Sequence, residues 1–68
     1  MKRRPVSSSN ILSIGWDDNL MEVEFKSGHL YAYHEVPEGV YQAALGADSI
    51  GRFVRDNVAG KYESTRIK

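Results

Sequence analysis

Polar and apolar residues alternate along much of the first half of the chain. The alternation is clearest over residues 12–16 and 21–25, and residues 29–34 form a third segment that is rich in aromatic side chains. A period of two is typical of a β-strand with one buried face. The pattern therefore predicts three strands, joined by short turns at Asp18-Asn19 and at Lys26-Ser27-Gly28.

The first turn sets the register of the first hairpin. Asp18 and Asn19 both tolerate positive φ, which favours a two-residue hairpin loop. Such a loop places six apolar residues on one face in three cross-strand pairs: Trp16 with Met21, Ile14 with Val23, and Leu12 with Phe25.

Two registers compete at the second turn. A two-residue loop would turn Leu30 and Ala32 toward the core, whereas a three-residue loop ending in a left-handed Gly28 turns Tyr31 and Tyr33 toward it. Glycine at the third loop position is the signature of a G1 bulge, and this register buries the larger rings, so we favour it. The two tyrosines are then core residues. If they are exposed instead, they form a stacking platform for RNA bases.

The second half of the chain has the period of amphipathic helices. Pro37 fits the first position of a helix that Gly46 ends, with an apolar stripe formed by Val40, Tyr41, Ala44 and Leu45. Asp48 or Ser49 fits the N-cap of a second helix, whose buried side comprises Ile50, Phe53, Val54 and Val58.

These elements predict an α+β fold, a small antiparallel three-stranded β-meander followed by two short helices packed on one face. Residues 1–9 are predicted to be a flexible N-terminal arm, and residues 10–68 a single domain. The face of the sheet away from the helices would mix acidic and apolar side chains, and if uncovered it could meet a partner; its residues are Glu22, Glu24, Leu30, Ala32 and His34.

Composition narrows the class of protein. The 68 residues include no cysteine, which excludes disulfides and zinc–thiolate sites. No apolar stretch approaches the roughly 20 residues of a membrane helix. The basic start of the chain is followed by a polar run rather than by the apolar core of a signal peptide. We therefore expect a cytoplasmic protein with no membrane partner.

The charges are segregated although their sum is zero. Residues 1–16 carry +3, residues 17–48 carry seven acids against Lys26, and residues 49–68 carry five basic residues against Asp56 and Glu63. If the two basic ends meet in space, they form one patch of the kind that binds nucleic acid. The alternative is a pair of solvated, flexible termini.

Catalytic and metal-binding patterns are weak. Ser49 is the serine best placed to be a nucleophile, but a helix cap explains it more simply. His29 and His34 fall on opposite faces of a strand, so a shared metal is not expected. The sequence predicts no enzyme activity, no metal and no cofactor.

Several short motifs together resemble one family. They are Ile14-Gly15-Trp16-Asp17, the run from Leu20 to Gly28, Tyr31-Ala32-Tyr33, Val36-Pro37, Tyr41, Ala47-Asp48-Ser49-Ile50-Gly51 and Phe53. Their order over residues 7–67 is similar to that of the KTSC domain, which is found at the C-terminus of some lysyl-tRNA synthetases and as stand-alone bacterial proteins. The family has no established activity, and the synthetase context implies RNA binding.

The chain departs from the family pattern at three places. Trp16 stands where the family often has tyrosine. Val54-Arg55 stands where it often has an aromatic residue and an asparagine, and Ala59-Gly60 where it often has a basic residue. The last departure weakens the case for nucleic acid.

Two functional hypotheses follow. The first is a non-enzymatic module that binds RNA phosphates through a basic helix and the termini; its candidate residues are Arg52, Arg55, Lys61, Arg66, Lys68, Lys2, Arg3 and Arg4, with Tyr31 and Tyr33 as candidate stacking residues. The second is a protein-interaction module that uses the open sheet face or a sheet edge.

Overall fold

The computed structural model describes residues 2–68, which form one antiparallel sheet and two helices. The strands are β1 (Arg4–Pro5), β2 (Ile11–Asp17), β3 (Leu20–Phe25), β4 (Leu30–Tyr33) and β5 (Ser64–Arg66); the helices are α1 (Glu38–Leu45) and α2 (Ile50–Asn57). Strand order in the sheet follows chain order. The α+β class is confirmed, but the sheet has five strands rather than three.

The two additional strands lie at the edges of the sheet. β1 falls in the segment expected to be a flexible arm, and it pairs Arg4 with Ile14 and Pro5 with Ser13. β5 pairs Ser64 with Tyr33 at the other edge. Every residue of β1 and β5 is exposed, so neither strand has the apolar alternation that revealed the central three. Met1, the first residue of the expected arm, lies outside the described residues.

The hairpin between β2 and β3 turns at Asp18 and Asn19, which have φ values of 49° and 65°. Trp16 faces Met21 and Ile14 faces Val23, as predicted. The predicted pairing of Leu12 with Phe25 is wrong. A β-bulge between Ile11 and Ser13 places Ile11 opposite Phe25 and leaves Leu12 45% exposed. The extra residue of a bulge shifts the alternation by one position.

The hairpin between β3 and β4 has the predicted three-residue loop. Gly28 has a φ of 100°, and the Phe25 amide donates to the His29 carbonyl oxygen across the loop at 2.9 Å. The register pairs Val23 with Tyr31 and Met21 with Tyr33. The left-handed glycine therefore selects the register that turns the two tyrosines to the helix side of the sheet.

Both helices pack on this face. Pro37 is the N-cap of α1 rather than its first helical residue, and Gly46 is its C-cap. Ser49 caps α2, its Oγ accepting from the Arg52 amide at 3.2 Å. The core between helices and sheet includes Ile11, Ile14, Met21, Val23, Tyr33, Val36, Ala44, Ile50, Val54 and Val58. Within residues 2–68, neither helix has the length and apolar character to cross a membrane.

Candidate functional site

An open groove of about 650 Å³ lies between α2 and the turn that joins β3 to β4. Its apolar lining comes from Phe25, Val54 and Ala59. Three cationic side chains line it as well, and we call it the basic groove after them: Lys26, Arg52 and Arg55. Among residues 2–68, no carboxylate side chain lines this groove.

The segment that precedes β2 brings the two walls of the groove together. The Lys26 amide donates to the Asn10 carbonyl oxygen at 2.8 Å, which fixes the turn to this segment. On the other wall, a Cβ at Gly51 would lie 3.6 Å from the Ser8 Oγ, so the first turn of α2 rests close to the same segment. Lys26 and the arginines of α2 are thus placed around one space by the chain between β1 and β2.

The two arginines are held differently. Arg52 and Arg55 are three residues apart, which puts their side chains on neighbouring turns of α2. Arg55 Nε lies 3.0 Å from Asp56 Oδ1, and both side chains are more than half exposed. An exposed pair of this kind contributes little and is screened by salt, so Arg55 stays available to an anionic ligand.

Acidic and basic turns lie at opposite ends of the sheet. Asp17 and Asp18 lie at the end of the sheet that carries the turn between β2 and β3, and Glu35 follows β4 at that same end. Lys26 lies in the turn at the opposite end, beside the basic groove. These three acids are a strand length away from the groove and oppose anion binding there only weakly at physiological salt, whereas Asp56 lies beside the groove and pairs with Arg55. Although the net charge of the chain is zero, three cationic residues and no carboxylate of residues 2–68 line the basic groove.

Tyr33 and Tyr31 differ in exposure. Tyr33 is 5% exposed and belongs to the core, whereas Tyr31 is half-buried and packs against that core. Burial, together with the neighbouring Tyr31, raises the pKa of the Tyr33 hydroxyl above its ordinary value of 10.0. Of the two candidate stacking residues, Tyr31 keeps more accessible surface than Tyr33.

The remaining C-terminal candidates are dispersed. Arg66 lies opposite Tyr31 across the β4–β5 ladder. Lys68 lies beside Leu30, whose amide donates to the Lys68 carbonyl oxygen at 3.0 Å, so it is at the same end of the sheet as Lys26. Lys61 lies at the other end, where it lines a smaller depression with Glu35 and other residues.

The N-terminal candidates lie apart from the basic groove. Arg3 Nη1 is 2.8 Å from Glu22 Oε1, and Arg3 Nε donates to the Ser13 Oγ at 3.3 Å. Ser13 Oγ in turn donates to Glu24 Oε1 at 2.9 Å. β1 and β5 are at opposite edges of the sheet, so the two basic ends of the chain do not form one patch.

The face of the sheet away from the helices is less open than the sequence suggested. Leu30 is 8% exposed and Ala32 is 4% exposed, so the apolar part of the face is buried. Arg3 occupies the acidic part, and the exposed His34 has its Nε2 2.8 Å from the Thr65 Oγ1. Glu22 and Glu24 keep 16% and 30% of their side-chain surface exposed, so the acidic part of this face is partly covered.

Lys26 is the groove residue that the sequence did not single out. Its local pattern is that of a turn residue before Ser27-Gly28, and nothing in the spacing connects it with α2, which begins 24 residues later. Only the closure of the turn onto Asn10 brings Lys26 to the groove.

The candidate nucleophile and the candidate metal ligands were also located in the structure. Ser49 Oγ is engaged with the Arg52 amide as a helix cap. Over the described range 2–68, no three histidine or acidic side chains cluster in a way that could hold a metal ion.

The family relationship is decided by a match along most of the chain. The sequence model of the KTSC domain family matches residues 7–62. The chain belongs to the KTSC domain family. The resemblance of its motifs to this family is therefore confirmed, and the basic groove is a feature of a KTSC domain.

Relatives and a solved structure agree with this assignment. An uncharacterised protein of Stutzerimonas stutzeri is 52% identical over 54 residues, which cover 76% of each chain. A protein of Tsukamurella paurometabola is 35% identical over 66 residues, covering 94% of this KTSC domain and 98% of the relative. The crystal structure of a KTSC domain protein from Yersinia pestis matches with a TM-score of 0.91 and 44% identity, covering 98% of this chain and 97% of that one.

Proposed function

We propose that this KTSC domain is a non-enzymatic module that binds the phosphate backbone of RNA in the basic groove. The observation that carries the proposal is the convergence of Lys26, Arg52 and Arg55 on one groove that no carboxylate of residues 2–68 lines. Cationic side chains around an open groove suit a polyanion, because phosphates and arginine form charge-assisted hydrogen bonds.

The side chains of the groove also determine which part of the RNA they contact. Lys26 and the two arginines would contact phosphates, which provide affinity and position without reading base sequence. The expected complex is weak, strongly salt-dependent and tolerant of sequence.

The test is a titration of fluorescently labelled RNA with the protein at two salt concentrations, followed by anisotropy. Replacing both groove arginines, Arg52→Ala with Arg55→Ala, should weaken binding roughly tenfold at low salt. The slope of log K against log salt should also flatten by about 1.4, since each single-strand phosphate contact contributes about 0.7.

A matched control removes two cations outside the groove, Arg4→Ala with Lys61→Ala. This variant has the same net charge as the groove variant, so it separates a local contact from a general loss of positive charge. Equal weakening in both variants would remove the groove from the proposal, and an absence of saturable binding by the unaltered protein would remove RNA.

A second candidate function is the addition of a partner strand at β5. Glu63 and Ile67 bond inward to β4, through the Glu63 carbonyl oxygen and the Ile67 amide, so by alternation the backbone groups of Ser64 and Arg66 point outward. All three residues of β5 are exposed. An exposed edge of this kind is a template for a partner's strand.

This candidate has its own test. Ser64→Pro removes an outward-pointing amide and leaves the bonds to β4 in place. A protein partner that is captured by the unaltered domain and lost with Ser64→Pro would support binding at β5. Retention of that partner by the variant would place its site elsewhere.

A further inference from the structure

The apolar wall of the basic groove continues into a row of aromatic rings along β4. The rings of Phe25 and Tyr31 meet edge to face, with centroids 5.8 Å apart and planes at 82°. Beyond Tyr31 lies Tyr33, at a centroid distance of 6.4 Å, and His29 lies 6.3 Å from Tyr31 on another side. Tyr31 is thus one ring away from the groove and central to the row.

Tyr31 is also the less buried tyrosine of β4, the strand next to the edge strand β5. Tyr33 belongs to the buried core, whereas Tyr31 is half-buried. Its cross-strand neighbour on β5 is Arg66, and directly opposed residues of an antiparallel pair project to the same face. Arg66 is exposed and Tyr31 keeps part of its surface accessible, so a ligand can reach the margin that these two residues form.

Together these features place a ring and a further cation beside a site for phosphates. A partly exposed tyrosine offers a π surface to a base, and a neighbouring arginine can contact the same base or the next phosphate. Bases of a duplex are stacked inside the helix and cannot reach such a ring, whereas the bases of a single strand can.

We propose that the basic groove takes single-stranded RNA and that one base stacks on Tyr31 next to Arg66. This inference rests on the proposed function and adds the class of nucleic acid and the stacking residue. The groove then positions the backbone, and Tyr31 distinguishes a single strand from a duplex.

The experiment compares oligouridine and oligoadenosine strands with an RNA duplex of equal length, using the unaltered protein and Tyr31→Leu. Single strands should bind the unaltered protein more tightly than the duplex does. Tyr31→Leu should weaken single-strand binding by roughly fivefold to a hundredfold, the range that stacking of one base accounts for. Duplex binding should not change.

Three controls separate stacking from a loss of structure or charge. Tyr31→Phe keeps the ring and should restore single-strand binding, and Tyr41→Leu removes a half-buried tyrosine of α1 and should have no effect. Tyr31→Leu should leave the salt dependence unchanged because it removes no charge, whereas the variant of Arg52 and Arg55 flattens it.

A measurement on the unaltered protein covers the case in which Tyr31→Leu fails to fold. Ultraviolet cross-linking of a thiouridine-containing strand, followed by mass spectrometry, should label the peptide that contains Tyr31. Equal binding of single strand and duplex, undiminished binding by folded Tyr31→Leu, or cross-links confined to other peptides would each overturn the stacking inference while leaving phosphate binding intact. If no RNA binds at all, the proposed function fails, and this inference fails with it.

Discussion

Trp16 Nε1 donates a hydrogen bond of 2.7 Å to the backbone carbonyl oxygen of Val36. The Val36 amide donates to the Asn19 carbonyl oxygen, also at 2.7 Å, and Val36 itself is fully buried. Both backbone groups of Val36 are thereby tied to the first hairpin. The segment that leads into α1 is fixed to β2 and to the turn beside it, which sets where α1 begins.

Trp16→Phe should therefore lower the free energy of unfolding by more than the loss of buried ring area would account for. Phenylalanine retains an aromatic ring but leaves the Val36 carbonyl oxygen without its partner, at a cost of about 1–3 kcal/mol. Urea unfolding followed by circular dichroism measures the change. Tyr41→Phe, which alters another half-buried aromatic residue, is the control, and an equal loss in both variants would contradict the role given to this bond.

Gly28 and Gly39 form a matched pair for testing the second turn. A Cβ at either position meets no atom within 4 Å, but Gly28 has a φ of 100° whereas Gly39 lies within α1. Gly28→Ala should destabilise by roughly 1–2 kcal/mol because of backbone strain alone. Gly39→Ala should stabilise by up to about 1 kcal/mol. Thermal melts of both variants give the comparison, and a Gly28→Ala variant as stable as the unaltered protein would require another loop conformation.

Gly15 leaves room for the N-terminal segment. A Cβ at this position would lie 3.0 Å from both the Arg3 Cγ and the Lys2 carbonyl oxygen. Gly15→Ala should displace residues 2–5 from the sheet and speed amide hydrogen exchange at Arg4. The effect on global stability should stay below about 1 kcal/mol, because the ion pair of Arg3 with Glu22 is partly exposed.

Arg3→Ala provides the companion measurement. It removes the contacts to Glu22 and Ser13 without adding a clash, so exchange at Arg4 should rise less than in Gly15→Ala. Unchanged exchange in both variants would mean that neither contact holds the segment in place.

Tyr33 should make stability depend on alkaline pH. Burial raises its pKa in the folded state above the ordinary 10.0, so the folded protein holds this proton more tightly than the unfolded chain does. The stabilisation is present in full below pH 10 and is lost as pH rises through the higher pKa of the folded state. Tyr33→Phe should flatten the fall in melting temperature above pH 10, and a profile that keeps its alkaline slope would assign that slope to other groups.

The central hairpins were predictable because apolar and polar residues alternate along strands that bury one face. Met21 and Val23 alternate with glutamates, and Gly28 supplies the positive φ that fixes the next register. The N-cap of α2 could be narrowed to Asp48 or Ser49, because short polar side chains accept from the free backbone amides of a first helical turn, and the structure places the cap at Ser49.

The edges and the groove could not be predicted in the same way. β5 is exposed on both faces, so its side chains carry no periodic signal, and its pairing with β4 depends on backbone bonds that any sequence can make. The bulge near Leu12 is one inserted residue with no glycine to mark it. Lys26 joins the two arginines only through tertiary closure, which spacing along the chain does not encode.

The agreement of strand order with chain order has a kinetic consequence. β2, β3 and β4 are linked by short turns and close at little entropic cost, whereas β5 reaches β4 only after residues 34–63 have been ordered. Contacts between residues close in sequence favour rapid folding. We expect the central meander to form the folding nucleus and β5 to dock after the rate-limiting step. Weakening the Ile14–Val23 pair should then slow refolding, whereas weakening β5 should chiefly hasten unfolding.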